Sequence, residues 1–212
     1  MHIDVFQDTV CPFCRIGKKH LELALAQWDG EPVSVRYRSF YLNPSIPPEG
    51  YDFAPYMLAK GGGRMRLEDF FDAPRRMGEA VGLTFNFERI TRAPNTELSH
   101  RLVALAPDDR RLEVIDAIYA AYFEFGRDIG DLDVLLDIAA ECGLDAAELR
   151  PLLEGDAARS EVEDDVEWAR QAGISGVPFF IINDRYAFSG AHPPETILRV
   201  MRQVVAEGEP AG

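Results

Sequence analysis

The chain has no apolar stretch approaching the ~20 residues a helix needs to cross a bilayer, which excludes a helical membrane span. Positive charge is also scarce. Lys and Arg number 22 against 36 Asp and Glu, for a net charge of −14. A surface of that sign repels phosphates, which argues against nucleic acid and membrane surfaces as partners. Only three lysines occur, and two of them, Lys18 and Lys19, fall side by side. Cysteine is equally rare, at three residues, and an odd number does not suit a framework of paired bridges. The N-terminal segment MHIDVFQDTV lacks both the basic region and the apolar region of an export signal, so the expected location is the cytosol. A reducing compartment of that kind disfavours structural disulfides.

What is present is a globular composition, 47% hydrophobic and 27% charged over 212 residues, long enough to bury a substantial core. Two of the three cysteines stand three positions apart in TVCPFCRIGK. The pair can be half of a metal site, a coincidence of packing, or a reactive dithiol. A structural zinc site needs four closed ligands, and none of His2, His20, His100 and His192 has ligand spacing to the cysteines, so no metal is expected. Coincidence is the weakest of the three in a chain with so little cysteine.

The pattern around the pair is strand, helix, strand. HIDVFQ is rich in β-formers and is followed by the turn residues Asp8 and Thr9. From Pro12 to about Trp28, Ile16, Leu21, Leu23, Leu25 and Trp28 make a helical apolar face, with Pro12 in the first turn where its missing N–H costs nothing. VSVRYRSF, residues 33–40, alternates as a strand. Short joins make this a βαβ unit with parallel pairing. The middle reads differently: 43–63 is a Pro- and Gly-rich loop with a short helix around 54–60. Helical patterns follow in RLEVIDAIYAAYFEFG, with Leu112, Ile115, Tyr119, Tyr122 and Phe123 as its stripe, in DLDVLLDIAAECG, and over 157–171. Strand character returns in GISGVPFFIINDRYAFSG as a hairpin turning at Asn183-Asp184, and a helix from Pro194 to about Val205 closes the chain. The expected fold class is α/β, with residues 1–45 and 172–212 forming one discontinuous domain and residues 46–171 a helical insertion domain.

At the start of that helix, Cys11 faces the free N–H groups and the positive end of the macrodipole, which favour negative charge on its sulfur. Arg15, Lys18 and Lys19 add to this if they face it. Cys14, one turn in, is expected to be the less exposed of the two and to resolve a mixed disulfide formed by Cys11. Phe13 adds an apolar face. A proline at the mouth of a strand, as in Gly176-Val177-Pro178, cannot donate to a ladder. A cis Val177–Pro178 bond would let that segment lie against the cysteines and offer the Val177 backbone to an extended substrate; a plain strand-start proline is the alternative.

VCPFCRIGKK, APNTELSHRL, YFEFGRDIGD and SGVPFFIINDRYAFSGAHPPE together resemble the FrnE-like branch of the DsbA thioredoxin-fold family. The resemblance implies a thioredoxin fold interrupted by an α-helical domain, with thiol–disulfide oxidoreductase or isomerase activity. It implies Cys11 as nucleophile, Cys14 as resolving thiol, and Pro178 as the cis-proline beside them, with Pro12, Phe13 and Val177 contacting substrate. The fold is also similar to 2-hydroxychromene-2-carboxylate isomerases and kappa-class glutathione transferases, which carry Ser at the position of Cys11. The expected partners are disulfide-containing proteins or low-molecular-weight thiols. No cofactor is required, with glutathione available as reductant or co-substrate. Two rivals remain open: a glutathione-dependent isomerase or transferase, and a peptide-holding, chaperone-like protein. Cys142, in register with Val134 and Ile138, is expected to be a packed core thiol. Asp8 is either a turn cap or a proton relay to Cys14. His192 is a loop residue, and the aromatics at 40–41, 70–71 and 85–87 belong to core or domain-interface packing unless they line a groove.

Overall fold

The computed structural model describes residues 1–62 and 66–208. Gly63 of the glycine run and residues 209–212 of the expected C-terminal segment lie outside the described residues. The chain opens with strand β1 (His2–Gln7), helix α1 (Pro12–Leu25) and strand β2 (Ser34–Ser39). A middle block follows: β3 (Tyr51–Asp52), α2 (Phe53–Lys60), α3 (Asp72–Glu79), β4 (Arg92–Ala93), α4 (Glu97–Leu105), α5 (Arg111–Phe123), α6 (Leu132–Glu141), α7 (Ala146–Glu154) and α8 (Arg159–Gln171). The strands β5 (Phe179–Ile182) and β6 (Tyr186–Ser189) and the helix α9 (Pro194–Gly208) complete it. Short 3-10 turns at Leu67–Phe70 and Phe87–Arg89 join the middle elements.

The sheet order is β2-β1-β5-β6. β1 and β2 run parallel, while β5 pairs antiparallel with both β1 and β6. At the hairpin turn Asn183 and Asp184 both take positive φ, 51° and 55°, a conformation that short polar side chains tolerate best. Alternation along β1 gives the sheet two faces. Ile3 and Val5 pack with Leu21 of α1 and Ile197 and Met201 of α9, while Phe6 packs with Ala169 of α8 and stacks on Trp168 at 5.3 Å. Asp165 of α8 accepts from the Ser39 N–H at 3.1 Å and from Arg38 at 2.9 Å, tying that helix to the edge strand β2. A second core fills the middle block, and it begins at Cys11, Cys14 and Ile16. The first turn of α1 therefore sits where the two cores meet.

Several elements differ from the expected ones. α1 stops at Leu25, with Ala26 as its C-cap, three residues before Trp28, and the last helix runs on to Gly208. Leu112 is not part of the α5 stripe but is 49% exposed; the buried face is Val114, Ile115, Ile118, Tyr119 and Tyr122. α8 begins at Arg159 because Ala158 takes a positive φ of 59° that ends the preceding turn. The β3–β4 bridge pairs segments about forty residues apart in sequence, Tyr51 with Ala93 and Asp52 with Arg92. No local pattern announces such a pairing.

Candidate active site

Cys11 is the N-cap of α1, with extended backbone (φ −92°, ψ 112°), and Pro12 takes the first helical position. The cap is made by sulfur: the Cys14 N–H donates to Cys11 Sγ at 3.3 Å. The Cys11 thiol donates in turn to the Val177 carbonyl at 3.6 Å. Cys11, Cys14 and Cys142 are all free thiols. The Val177–Pro178 peptide is cis, and the Pro178 ring lies against the Gly17 face of α1, where a Cβ would come within 2.9 Å of Pro178 Cγ. Glycine at 17 is what lets the helix approach so closely. Thr9 and Ser99 share a hydrogen bond of 2.8 Å that holds the β1–α1 loop to α4.

Exposure does not separate the two thiols. Cys11 is 3% exposed and Cys14 2%, because the middle block closes over both. Access separates them. Cys11 lies on the floor of a cleft of about 300 Å³ that is also bordered by Pro12, Phe13 and Val177, and Cys14 does not line it. Burial, followed by the hydrogen bond and charge of Cys11, pushes the Cys14 thiol well above its ordinary value. The Tyr119 phenol, behind the pair, is also raised, first by burial and then by the two cysteines, and it donates to Gln7 Oε1 at 2.6 Å.

The basic residues after the motif do not serve Cys11. Arg15 pairs with Glu124 and donates to the Thr84 carbonyl at 2.8 Å. Lys18 is buried between Glu22 and Asp116, and Lys19 reaches Glu22 at 3.7 Å. Helical spacing turns all three away from the first turn and toward carboxylates on α1, on α5 and just past its end. Asp8 ties the β1–α1 loop to the segment after β2: one carboxylate oxygen accepts from the Leu42 N–H at 2.7 Å. Its other oxygen lies 3.4 Å from His100 Nε2, and His100 is fully buried with neither ring nitrogen hydrogen-bonded. That Asp8–His100 contact crosses about ninety residues of sequence and has no local signature. His192 contributes its backbone carbonyl to His20 Nδ1 at 2.8 Å, which anchors α1 to the loop before α9. Cys142 is buried at the end of α6 among core residues.

Of the three aromatic groups, Phe70, Phe71 and Phe87 line the cleft, whereas Phe40, Tyr41 and Phe85 do not. Tyr122 and Phe123 of the α5 stripe reach the cleft, and residues that the local sequence patterns do not single out complete the walls, among them Ile46, Tyr56, Met57 and Lys60. Phe53, Tyr56, Met57 and Lys60 share one short helix, α2. Among the described residues no cluster of three or more potential metal ligands occurs.

A four-stranded sheet of this order, with two reduced cysteines in the first turn of α1 and a proline loop across from them, defines a thioredoxin-fold dithiol protein. The chain belongs to the DSBA-like thioredoxin domain family, which it matches over residues 2–202. It is 31% identical over 189 residues to the uncharacterized protein YwbO of Bacillus subtilis (strain 168), covering 87% of this chain and 88% of that one. It is similar to the crystal structure of a probable DsbA oxidoreductase from Streptomyces coelicolor, with a TM-score of 0.91 and 32% identity over 100% of this chain and 93% of that one. A cytosolic disulfide reductase, DsbM of Pseudomonas aeruginosa with GSH, shares the fold at a TM-score of 0.66 and 20% identity, covering 97% of this chain and 100% of that one. The family places the chain in the general class of thiol–disulfide oxidoreductases.

Proposed function

We propose that the protein is a cytosolic thiol–disulfide oxidoreductase in which Cys11 attacks and Cys14 resolves. The observation that carries this reading is the unequal placement of the two sulfurs. Cys11 Sγ accepts an α1 amide and lies on the cleft floor, while Cys14 is held protonated behind it. Cys11 sulfur attacks one sulfur of a substrate disulfide; a new S–S bond forms, the substrate bond breaks, and the leaving thiolate takes a proton from solvent. Cys14 then loses its proton and attacks Cys11 sulfur, which releases the second substrate thiol and leaves a Cys11–Cys14 disulfide. Two equivalents of a monothiol such as glutathione restore the dithiol and become a disulfide themselves. Pro12, Phe13 and Val177 border the cleft at Cys11, where the substrate sulfur must lie, while Pro178 packs beside Val177 against Gly17 and does not line the cleft.

Reduction of hydroxyethyl disulfide with glutathione as electron donor tests this. Cys11→Ser is expected to fall to background, and Cys14→Ser to accumulate a mixed disulfide visible in the intact mass. Wild-type turnover in both variants would remove the dithiol from the mechanism.

A further inference from the structure

We propose that the cleft selects low-molecular-weight disulfides with one aromatic, carboxylate-bearing arm; the ring lodges in the aromatic wall and the carboxylate reaches Lys60. This rests on the dithiol reading and names its substrate class. Cys11, at 3% exposure, is reached through the cleft, so the flat surface of a folded protein cannot present a disulfide to it. The cleft volume of about 300 Å³ is at the small end of ligand sites. A cavity of ~150 Å³ suffices for one benzene ring, so a substituted ring and its sulfur linkage fit. The wall is a preformed stack. Phe71 lies 4.2 Å from Phe87 and 5.7 Å from Phe53, with interplanar angles of 12° in both pairs. Phe85 stacks on Phe87 at 5.3 Å, so a substrate ring meets this wall edge-on or at its Phe53 end, at little ordering cost.

Charge narrows the arm. Among the described residues Lys60 is the only basic one lining the cleft, and it forms no ion pair with any of them, whereas Lys18 and Lys19 are both paired. On a chain of net charge −14, an unpaired cation at the mouth is the local attractor for a carboxylate. Asp8, the lining carboxylate, is engaged by the Leu42 N–H at 2.7 Å and lies 3.4 Å from His100 Nε2.

Stopped-flow oxidation of the reduced protein tests the proposal with bis(carboxynitrophenyl) disulfide, dipyridyl disulfide, hydroxyethyl disulfide and insulin. Each rate is divided by that disulfide's rate with free glutathione, which removes intrinsic reactivity. After that division the carboxylated aryl disulfide is expected to exceed hydroxyethyl disulfide about tenfold or more, the factor that ~1.4 kcal/mol supplies. Lys60→Glu is expected to lower the ratio of carboxylated to neutral aryl disulfide about threefold, as an exposed charge contact does. Equal normalised rates across the small disulfides, insulin outrunning them, or an unchanged ratio in Lys60→Glu would overturn the substrate class while leaving the dithiol reading intact. Oxidation of Cys11→Ser at the wild-type rate would instead overturn the dithiol reading itself.

Discussion

At the residue scale the two motif cysteines are equally covered but not equally reachable. Cys11 shares a cleft with Phe13, which is 36% exposed at its edge; Cys14 has protein on every side and a thiol raised by burial. Thiol reactivity follows thiolate fraction and access, and Cys14 is poor in both. Cys142 is alike in this respect: it is buried, with its thiol pushed up first by burial and then by Glu113. Brief treatment of the native reduced protein with iodoacetamide is therefore expected to modify Cys11 alone, with Cys14 and Cys142 reacting only after unfolding. Peptide mapping by mass spectrometry reads the result directly. Equal labelling of Cys11 and Cys14 would contradict the placement described.

At the scale of elements, α1 carries the chemistry and its neighbours aim it. Gly17 brings it against Pro178, His20 pins it to the His192 carbonyl, and Lys18 joins it to Asp116 of α5. The Gly17 contact leaves no room for a larger residue. Pro178 is a rigid ring, so the 2.9 Å approach of an added Cβ has to be relieved by moving the helix. Gly17→Val is expected to cost about 1–3 kcal/mol, the usual range for overpacking. It is also expected to slow disulfide reduction, because moving the helix separates Cys11 from Val177. Urea melts and hydroxyethyl disulfide turnover measure the two effects, and a variant with unchanged stability and rate would show that the approach is not tight.

At the scale of the whole molecule the interior is set against alkali. Cys14, Tyr119 and Tyr122 are buried, and burial raises each above its ordinary value of 9.0 or 10.0. A group raised in the folded state is neutral there while the unfolded chain begins to ionise it. Its contribution is fully present below the unfolded pKa and is lost as pH rises through that value toward the folded one. Each tenfold difference in proton affinity between the folded and unfolded chain is worth ~1.4 kcal/mol. Unfolding free energy is thus expected to fall between neutral pH and the alkaline region above their ordinary values. Replacing Tyr122 by Phe should flatten that fall. Denaturant titrations of the reduced protein at several pH values provide the check.

Local patterns were enough for much of the fold and for the heart of the site. Clustered β-formers mark β1, alternation marks β2, the Asn183-Asp184 pair marks the hairpin, and a proline directly after a cysteine marks the start of α1. These signals are readable because each depends on residues within one turn or one strand of each other. The spacing of Cys11 and Cys14 belongs to the same class. Tertiary structure decided the rest: the burial of Cys11, the partners of Lys18 and Arg15, the Asp8–His100 contact, the β3–β4 bridge and the aromatic wall opposite the sulfur. Each joins segments tens of residues apart, and a side chain's period along its own helix fixes the face it occupies but not what packs there. The sequence alone therefore determined that a dithiol opens a helix, and only the packing of the middle block over that helix decided how a substrate can reach it.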